Sequence, residues 1–213
     1  MRARLFLITP RAVDAATFAP RLEAALAAGD VASLLIAPDV AGGAELQAIA
    51  EALVPIAQRH DVAALVVGDS RVMGRAHADG LHIETGSAAL REAVEALQPK
   101  SIVGAGNLRA RHEAMEAGEA NADYVFFGLL DLDESDEPHR KTIDLGAWWA
   151  ELFEPPCVLL AGRSMASVET CARTGADFVA LRAAVWEHPD GPAVAVTEAN
   201  AILDRVAAAF PDD

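Results

Sequence analysis

Positive charge is scarce in this chain. Its 213 residues include 17 Lys and Arg against 32 Asp and Glu, a formal net charge of −15 at pH 7. Nucleic acid and anionic membranes both require basic surface, so neither is expected as a partner. A small anionic ligand needs only a local cradle and stays within reach. Lysine is rarer still: Lys100 and Lys141 are the only two, and arginine supplies the other fifteen positive charges. Aromatic residues make up 5% of the chain, so the core is expected to be aliphatic. The two cysteines, Cys157 and Cys171, both fall in apolar segments and read as small core residues in a reducing compartment. No Cys-x-x-Cys or His-rich tract marks a metal site. The N-terminal apolar run stops after about five positions, short of the roughly 7–15 that a signal peptide needs. No segment reaches the roughly 20 apolar residues of a membrane span. A soluble, cytoplasmic protein is the expectation.

What is abundant is hydrophobic sequence, 53% of the chain, cut into short runs. Short apolar runs bounded by turn residues suit strands covered on both faces. They occur at Arg4 to Thr9, Val31 to Ala37, Ala63 to Val67, Gly80 to Ile83, Ser101 to Ala105, Tyr124 to Phe127, Cys157 to Ala161 and Phe178 to Leu181. Helical spacing fills the intervals. Pro20 is expected to open the first helix, Pro55 to kink or break the second, and Ser87 to cap the helix after the fourth strand. An Ala-Asp pair precedes a strand at Ala78-Asp79, Ala122-Asp123 and Ala176-Asp177, with Gly29-Asp30 as a looser copy. Eight strand–helix alternations with no break in composition predict a single-domain (β/α)8 TIM barrel, over residues 1–213, rather than an open sheet.

In such a barrel the chemistry lies where strands end and helices begin, and phosphate is frequently held after strands seven and eight. Those turns are Gly162-Arg163-Ser164 and Arg182-Ala183-Ala184. Gly162 lets backbone N–H groups approach an anion, and two guanidinium groups add charge of the right sign. Gly162, Arg163, Arg182, Ala183 and Ala184 are therefore the candidate phosphate-binding set. His82 stands at a strand end and is the candidate proton carrier, with a structural hydrogen-bonding role as its competing reading. Trp148 and Trp149 cannot both point inward from one helix, so one is expected to cover a loop or to meet a second subunit in a homodimer.

Several strand ends match one family. Leu65 to Asp69 (LVVGD), Ala78 to Ile83 (ADGLHI), Ser101 to Gly104, Ala122 to Gly128 (ADYVFFG), Cys157 to Gly162 and Gly175 to Val185 follow one another in the family's order and spacing. The chain resembles the thiamine phosphate synthases, including their thiazole tautomerase (TenI-like) branch. The resemblance implies a role in thiamine biosynthesis, joining a pyrimidine diphosphate to a thiazole phosphate with Mg²⁺. It implies a small phosphorylated heterocycle as ligand, Asp69 as a metal ligand and Glu84 as a displaced second one. The chain also departs from the pattern. Leu35 to Asp39 lacks the family's Gln-x-Arg-x-Lys run, Gly68 stands for the Asn before Asp69, and the serine after strand five is replaced around Gly106. The Thr-rich, Lys-bearing loop after strand six is replaced by the acidic Asp131 to Glu137, leaving Lys141 as the only candidate for its lysine. Three readings stay open: the synthase itself, a metal-free tautomerase using His82, and a non-catalytic phosphate-ligand protein on the same scaffold.

Overall fold

A computed structural model describes residues 2–40, 42–132 and 135–209. Strands and helices alternate: β1 (Arg4–Ile8), α1 (Ala15–Leu26), β2 (Val31–Ile36), α2 (Gly43–Arg59), β3 (Ala63–Val67), α3 (Ser70–Ala76), β4 (Gly80–Ile83) and α4 (Ser87–Leu97). The second half follows with β5 (Ile102–Ala105), α5 (Arg111–Glu119), β6 (Tyr124–Phe127), α6 (Arg140–Leu152), β7 (Cys157–Leu160), α7 (Ser167–Ala172), β8 (Phe178–Leu181), α8 (Ala183–Trp186) and α9 (Pro192–Ala209). All eight strands run parallel in chain order, and β8 pairs back to β1. This is the expected (β/α)8 barrel.

Side-chain alternation along each strand divides the core in two. Leu5 and Leu7 of β1 face the helices, whereas Phe6 and Ile8 face the barrel axis. The inner cluster gathers Phe6, Leu35, Leu65, Tyr124, Phe126 and Val158. At its centre the chain's single tyrosine meets a histidine, with the Tyr124 hydroxyl 2.8 Å from Nδ1 of His82. Their rings stack with centroids 5.8 Å apart, and Phe126 meets the imidazole edge-on. Two glycines make room. A Cβ on Gly104 would lie 1.9 Å from the Tyr124 ring, and one on Gly106 would lie 2.3 Å from Nε2 of His82.

The repeated Ala-Asp pairs have a structural meaning. Each Asp stands just before an even-numbered strand and reaches back to the start of the strand before it. Asp79 accepts the Ala64 N–H at 2.8 Å, Asp123 the Val103 N–H at 2.7 Å, and Asp177 the Cys157 N–H at 2.8 Å. The looser copy, Asp30, grips the Arg4 guanidinium instead, which holds the Asp30 carboxyl below the usual carboxylate range. These carboxylates clamp strand pairs at the N-terminal rim. Asp177→Ala should leave a part-buried N–H unpaired and lower stability by about 1–3 kcal/mol. The shift in the urea midpoint measures it, and an unchanged midpoint would show that water replaces the clamp.

Pro20, expected to open a helix, and Pro55, expected to kink or break one, both lie inside continuous helices. Asp14 caps α1 by accepting the Thr17 N–H at 2.9 Å, so the helix starts at Ala15 and Pro20 falls within it. Helix α2 continues through Pro55. The reason is placement: Ala16 and Glu51, whose carbonyls lose an intrahelical partner, are exposed, and water can take them. Ser87 is the first residue of α4 rather than its cap; Gly86, at φ +97°, holds that place. Trp149 is buried, donates to the Pro155 carbonyl at 2.7 Å and stacks on Phe153. Trp148 is half-buried and carries the Arg111 guanidinium 4.8 Å above its ring, so both indoles find partners within the chain. Cys157 and Cys171 are free and buried, with thiols pushed up to about 12 by burial. Among the described residues no helix is long and apolar enough to cross a membrane.

Candidate active site at the C-terminal mouth

The β7 turn is the best defined part of the mouth. Gly162 donates its N–H to Ser167 Oγ at 3.0 Å, and Ser167 is wholly buried. The next two N–H groups are taken by the connection between β6 and α6. Arg163 donates to the Ser135 carbonyl at 2.8 Å and Ser164 to the Asp136 carbonyl at 3.0 Å. Residues 135–136 therefore lie against the turn as a strap. Gly162 is glycine because of that contact: a Cβ there would stand 2.2 Å from the Asp136 carbonyl oxygen. Other cations tie down the same connection. Arg182 donates to the Leu130 carbonyl at 3.0 Å, Arg11 to the Leu132 carbonyl, and Arg109 lies 4.0 Å from Asp131. Of the acidic stretch singled out in the sequence, Asp133 and Glu134 lie outside the described residues.

One cavity opens beside the strap, and another opens between β1 and α8. The first, about 270 Å³, has walls of Leu129, Leu145 and Leu160, with Gly162 and Lys141 at its edge. The second, about 450 Å³, lies between the β1–α1 loop and α8 and is lined by Arg11, Arg21, Arg163, Arg182 and Ala183. The sequence-derived phosphate set is thus divided. Gly162 borders the apolar cavity, while Arg163, Arg182 and Ala183 border the arginine-lined one. Ala184 is buried within α8.

The other candidates are dispersed around the rim. Asp69 caps α3, its Oδ1 accepting from the Arg71 and Val72 N–H groups at 2.9 and 3.1 Å. Glu84 is half-buried, and burial pushes its carboxyl up; nearby Asp131 adds to that, and Arg182 opposes it. Val67 and His82 are paired in register, and Asp69 and Glu84 each stand two residues further on. The two carboxylates thus stand just past the ends of adjacent strands. Among the described residues no three His, Cys, Asp or Glu side chains form a metal-binding group. A pair of carboxylates still suits Mg²⁺, which commonly takes one or two protein oxygens and completes its shell with water and substrate phosphate. His82 is wholly buried, and burial pushes its imidazole down to about 3, so it is neutral. It lies below the mouth, in the inner core.

Sequence reasoning missed Arg11 and Arg21. Arg11 follows Pro10 directly after β1, a position that marks it as a mouth residue once the barrel is assumed. Arg21 carries no such signal, because it reaches the cavity from the body of α1.

A closed parallel barrel with cavities among its βα loops places the chain among the (β/α)8 proteins that carry their ligand site at the C-terminal face. Comparison with known proteins narrows this. The thiamine monophosphate synthase family model matches residues 5–185, and the chain belongs to that family. It is 40% identical over 203 residues to a thiamine-phosphate synthase of Rhodospirillum centenum, covering 94% of this chain and 97% of the relative. A thiamine-phosphate synthase of Hyphomonas neptunium is 36% identical over 212 residues, covering 97% and 96%. Among solved structures, thiamine phosphate pyrophosphorylase from Pyrococcus furiosus superposes with a TM-score of 0.76 at 23% identity, covering 95% of this chain and 96% of that one. That likeness concerns the fold.

Proposed function

We propose that the chain is a thiamine phosphate synthase that holds a thiazole phosphate in the cavity beside Gly162 and joins it to a pyrimidine diphosphate. The observation that carries the reading is that cavity. Its leucine walls suit an apolar heterocycle, and Lys141 and Arg109 on its lining offer the cations that a phosphate needs near a close-approach glycine turn. The strap sets a condition on binding. Ser135 and Asp136 occupy the N–H groups of Arg163 and Ser164, so a phosphate that uses those donors must displace two carbonyls. Asp69 and Glu84 are the residues that would hold Mg²⁺, and the metal would take up charge from the departing diphosphate.

The test supplies both substrates and Mg²⁺ and follows thiamine phosphate. Turnover is expected, and Lys141→Ala should lower kcat/KM for the thiazole phosphate by about 10–100-fold, the worth of one charge-assisted contact. No product above a heat-killed control would overturn the reading. Binding of thiazole phosphate without product would favour the non-catalytic alternative, which the missing cations of Leu35 to Asp39 also favour. The tautomerase alternative requires His82 to exchange protons with a ligand, and its complete burial speaks for the structural role instead.

A further inference from the structure

Among the described residues, four other than glycine take a left-handed backbone: Asp61, His77, Asn107 and Asn121. Three of them stand within two residues of a helix end, where such a residue is a routine stop. Asn107, at φ +55°, stands at the opposite rim, two residues past β5, where no helix ends. Asparagine bears this conformation better than most residues, but only glycine takes it freely. The side chain supplies a reason for asparagine. Its Nδ2 donates to the Glu84 carbonyl at 3.2 Å, just past β4, and its Oδ1 accepts from Nε of Arg109 at 2.9 Å. One amide thus ties the β4 turn to a guanidinium, and it uses its donor end for one and its acceptor end for the other.

Arg109 lines two cavities. One is the leucine-walled cavity beside Gly162; the other, about 690 Å³, is lined from α4 and α5 and by Glu84 and Asn107. The backbone at Arg109 is fixed, because Glu113 accepts the N–H groups of Arg109 and Ala110 at 2.5 and 3.0 Å and Leu108 packs on the outer core. The side chain is 56% exposed, and Asp131, 4.0 Å away, is 71% exposed, so water competes for that ion pair. The Asn107 amide is the closer contact. An exposed arginine without such a contact must give up rotamer freedom when it meets an anion.

We infer that Asn107 is a positioning residue, which holds the Arg109 guanidinium in place at the wall of the thiazole phosphate cavity before the ligand arrives. The inference rests on the synthase reading above and deepens it, by naming what orients one of the cations on that cavity's lining. The strained backbone at Asn107 is then the cost of setting one amide between the β4 turn and the arginine.

Asn107→Gly tests this, because it removes the amide while glycine keeps the left-handed backbone without strain; thermal unfolding confirms that the variant is folded. NMR of the full chain reads the contact itself. The wild type should show a slowly exchanging Arg109 Nε–H signal, assigned by its absence from Arg109→Lys, and Asn107→Gly should lose it. Calorimetry with thiazole phosphate and steady-state kinetics read the consequence. Asn107→Gly should weaken binding and raise KM for thiazole phosphate about five- to tenfold, with kcat within about twofold, as expected for lost ground-state binding. In an Arg109→Ala background the same change should add less than about twofold, because its target is gone. An Nε–H signal unchanged in Asn107→Gly, an equal loss of binding with and without the guanidinium, or a fall in kcat at unchanged KM would overturn the inference. So would a wild type that fails to bind thiazole phosphate at millimolar concentration. The two readings fail separately. No thiamine phosphate from a chain whose thiazole phosphate binding follows this cycle would reject the synthase and keep the positioning role. Thiamine phosphate made with a KM indifferent to Asn107 would do the reverse.

Discussion

Stability should fall steeply as pH drops from about 6.5 to 4.5, because a neutral imidazole is sealed in the barrel axis. The ordinary histidine value is 6.5 and burial takes His82 to about 3. Below 6.5 the unfolded chain binds a proton that the folded chain refuses. Stability then changes by about 1.4 kcal/mol per pH unit until the folded value is reached. The sign follows from the lowered folded value: the contribution is fully present above 6.5 and is lost as pH falls. Over two units the loss should be on the order of 3 kcal/mol, a large share of the total for a typical domain. Carboxylates held low by their partners, among them Asp30 through Arg4 and Glu23 through His60, add acid lability at lower pH, where they begin to protonate. The window from 6.5 to 4.5 therefore holds the loss due to the imidazole, opposed only by Glu84, whose carboxyl burial pushes up and which gains stability as pH falls. Urea midpoints across it provide the measurement. His82→Phe alone would strand the Tyr124 hydroxyl in the core, but His82→Phe with Tyr124→Phe replaces both partners by rings of similar shape. The double variant should fold and lose the fall in midpoint over the same window, keeping only the opposite, upward contribution of Glu84. A wild-type midpoint that does not move between pH 6.5 and 4.5 would contradict the sealed, neutral state.

Gly162→Ala should release the strap. The added methyl would stand 2.2 Å from the Asp136 carbonyl oxygen and 2.7 Å from that of Ser135, and both are backbone atoms rather than the ends of flexible side chains. The connection must lift, and the N–H groups of Arg163 and Ser164 then lose their partners. Overpacking and two broken backbone hydrogen bonds together predict a loss of about 2–4 kcal/mol. Limited proteolysis should report the same event locally, because Arg140 and Lys141 begin the helix that follows the strap. Faster tryptic cleavage there, together with a lowered urea midpoint, is the expected pair of results. A variant with unchanged stability and unchanged cleavage would show that the turn and strap are not in firm contact.

The barrel was legible because its signals are local. Short apolar runs and Ala-Asp punctuation repeat at each unit, and every strand fell within a residue or two of its place. Pro20 misled as a helix start and Pro55 as a break because a helix tolerates proline where the orphaned carbonyl faces water, and Ala16 and Glu51 are exposed only by virtue of tertiary packing. The site was legible in its parts and hidden in its assembly. Gly162 announced a tight turn, but the strap that demands glycine lies 26 residues earlier in the chain. Arg163 and Arg182 were found as strand-end residues and grouped with Gly162. They line one cavity with Arg11 and Arg21 because β8 closes on β1, and no nearest-neighbour reading of sequence contains that closure. His82 looked like a reactive group at a strand end; the register of β4 turns it to the axis, where Gly104 and Gly106 leave space for its ring and for Tyr124.

The carboxylate clamps bear on how such a barrel assembles. They join residues 15, 20 and 20 positions apart, and the Arg4–Asp30 contact spans 26. Each is satisfied within a single strand–helix–strand unit, before the ring exists, so its loop-closure entropy is small. Four neighbouring pairs can therefore acquire their rim contacts early and independently. The late, long-range step is the meeting of β8 with β1, sealed where Arg4 donates its N–H to the Asp177 carbonyl. One aspartate thus serves both events: its side chain finishes the last unit, and its backbone receives the first strand when the circle closes.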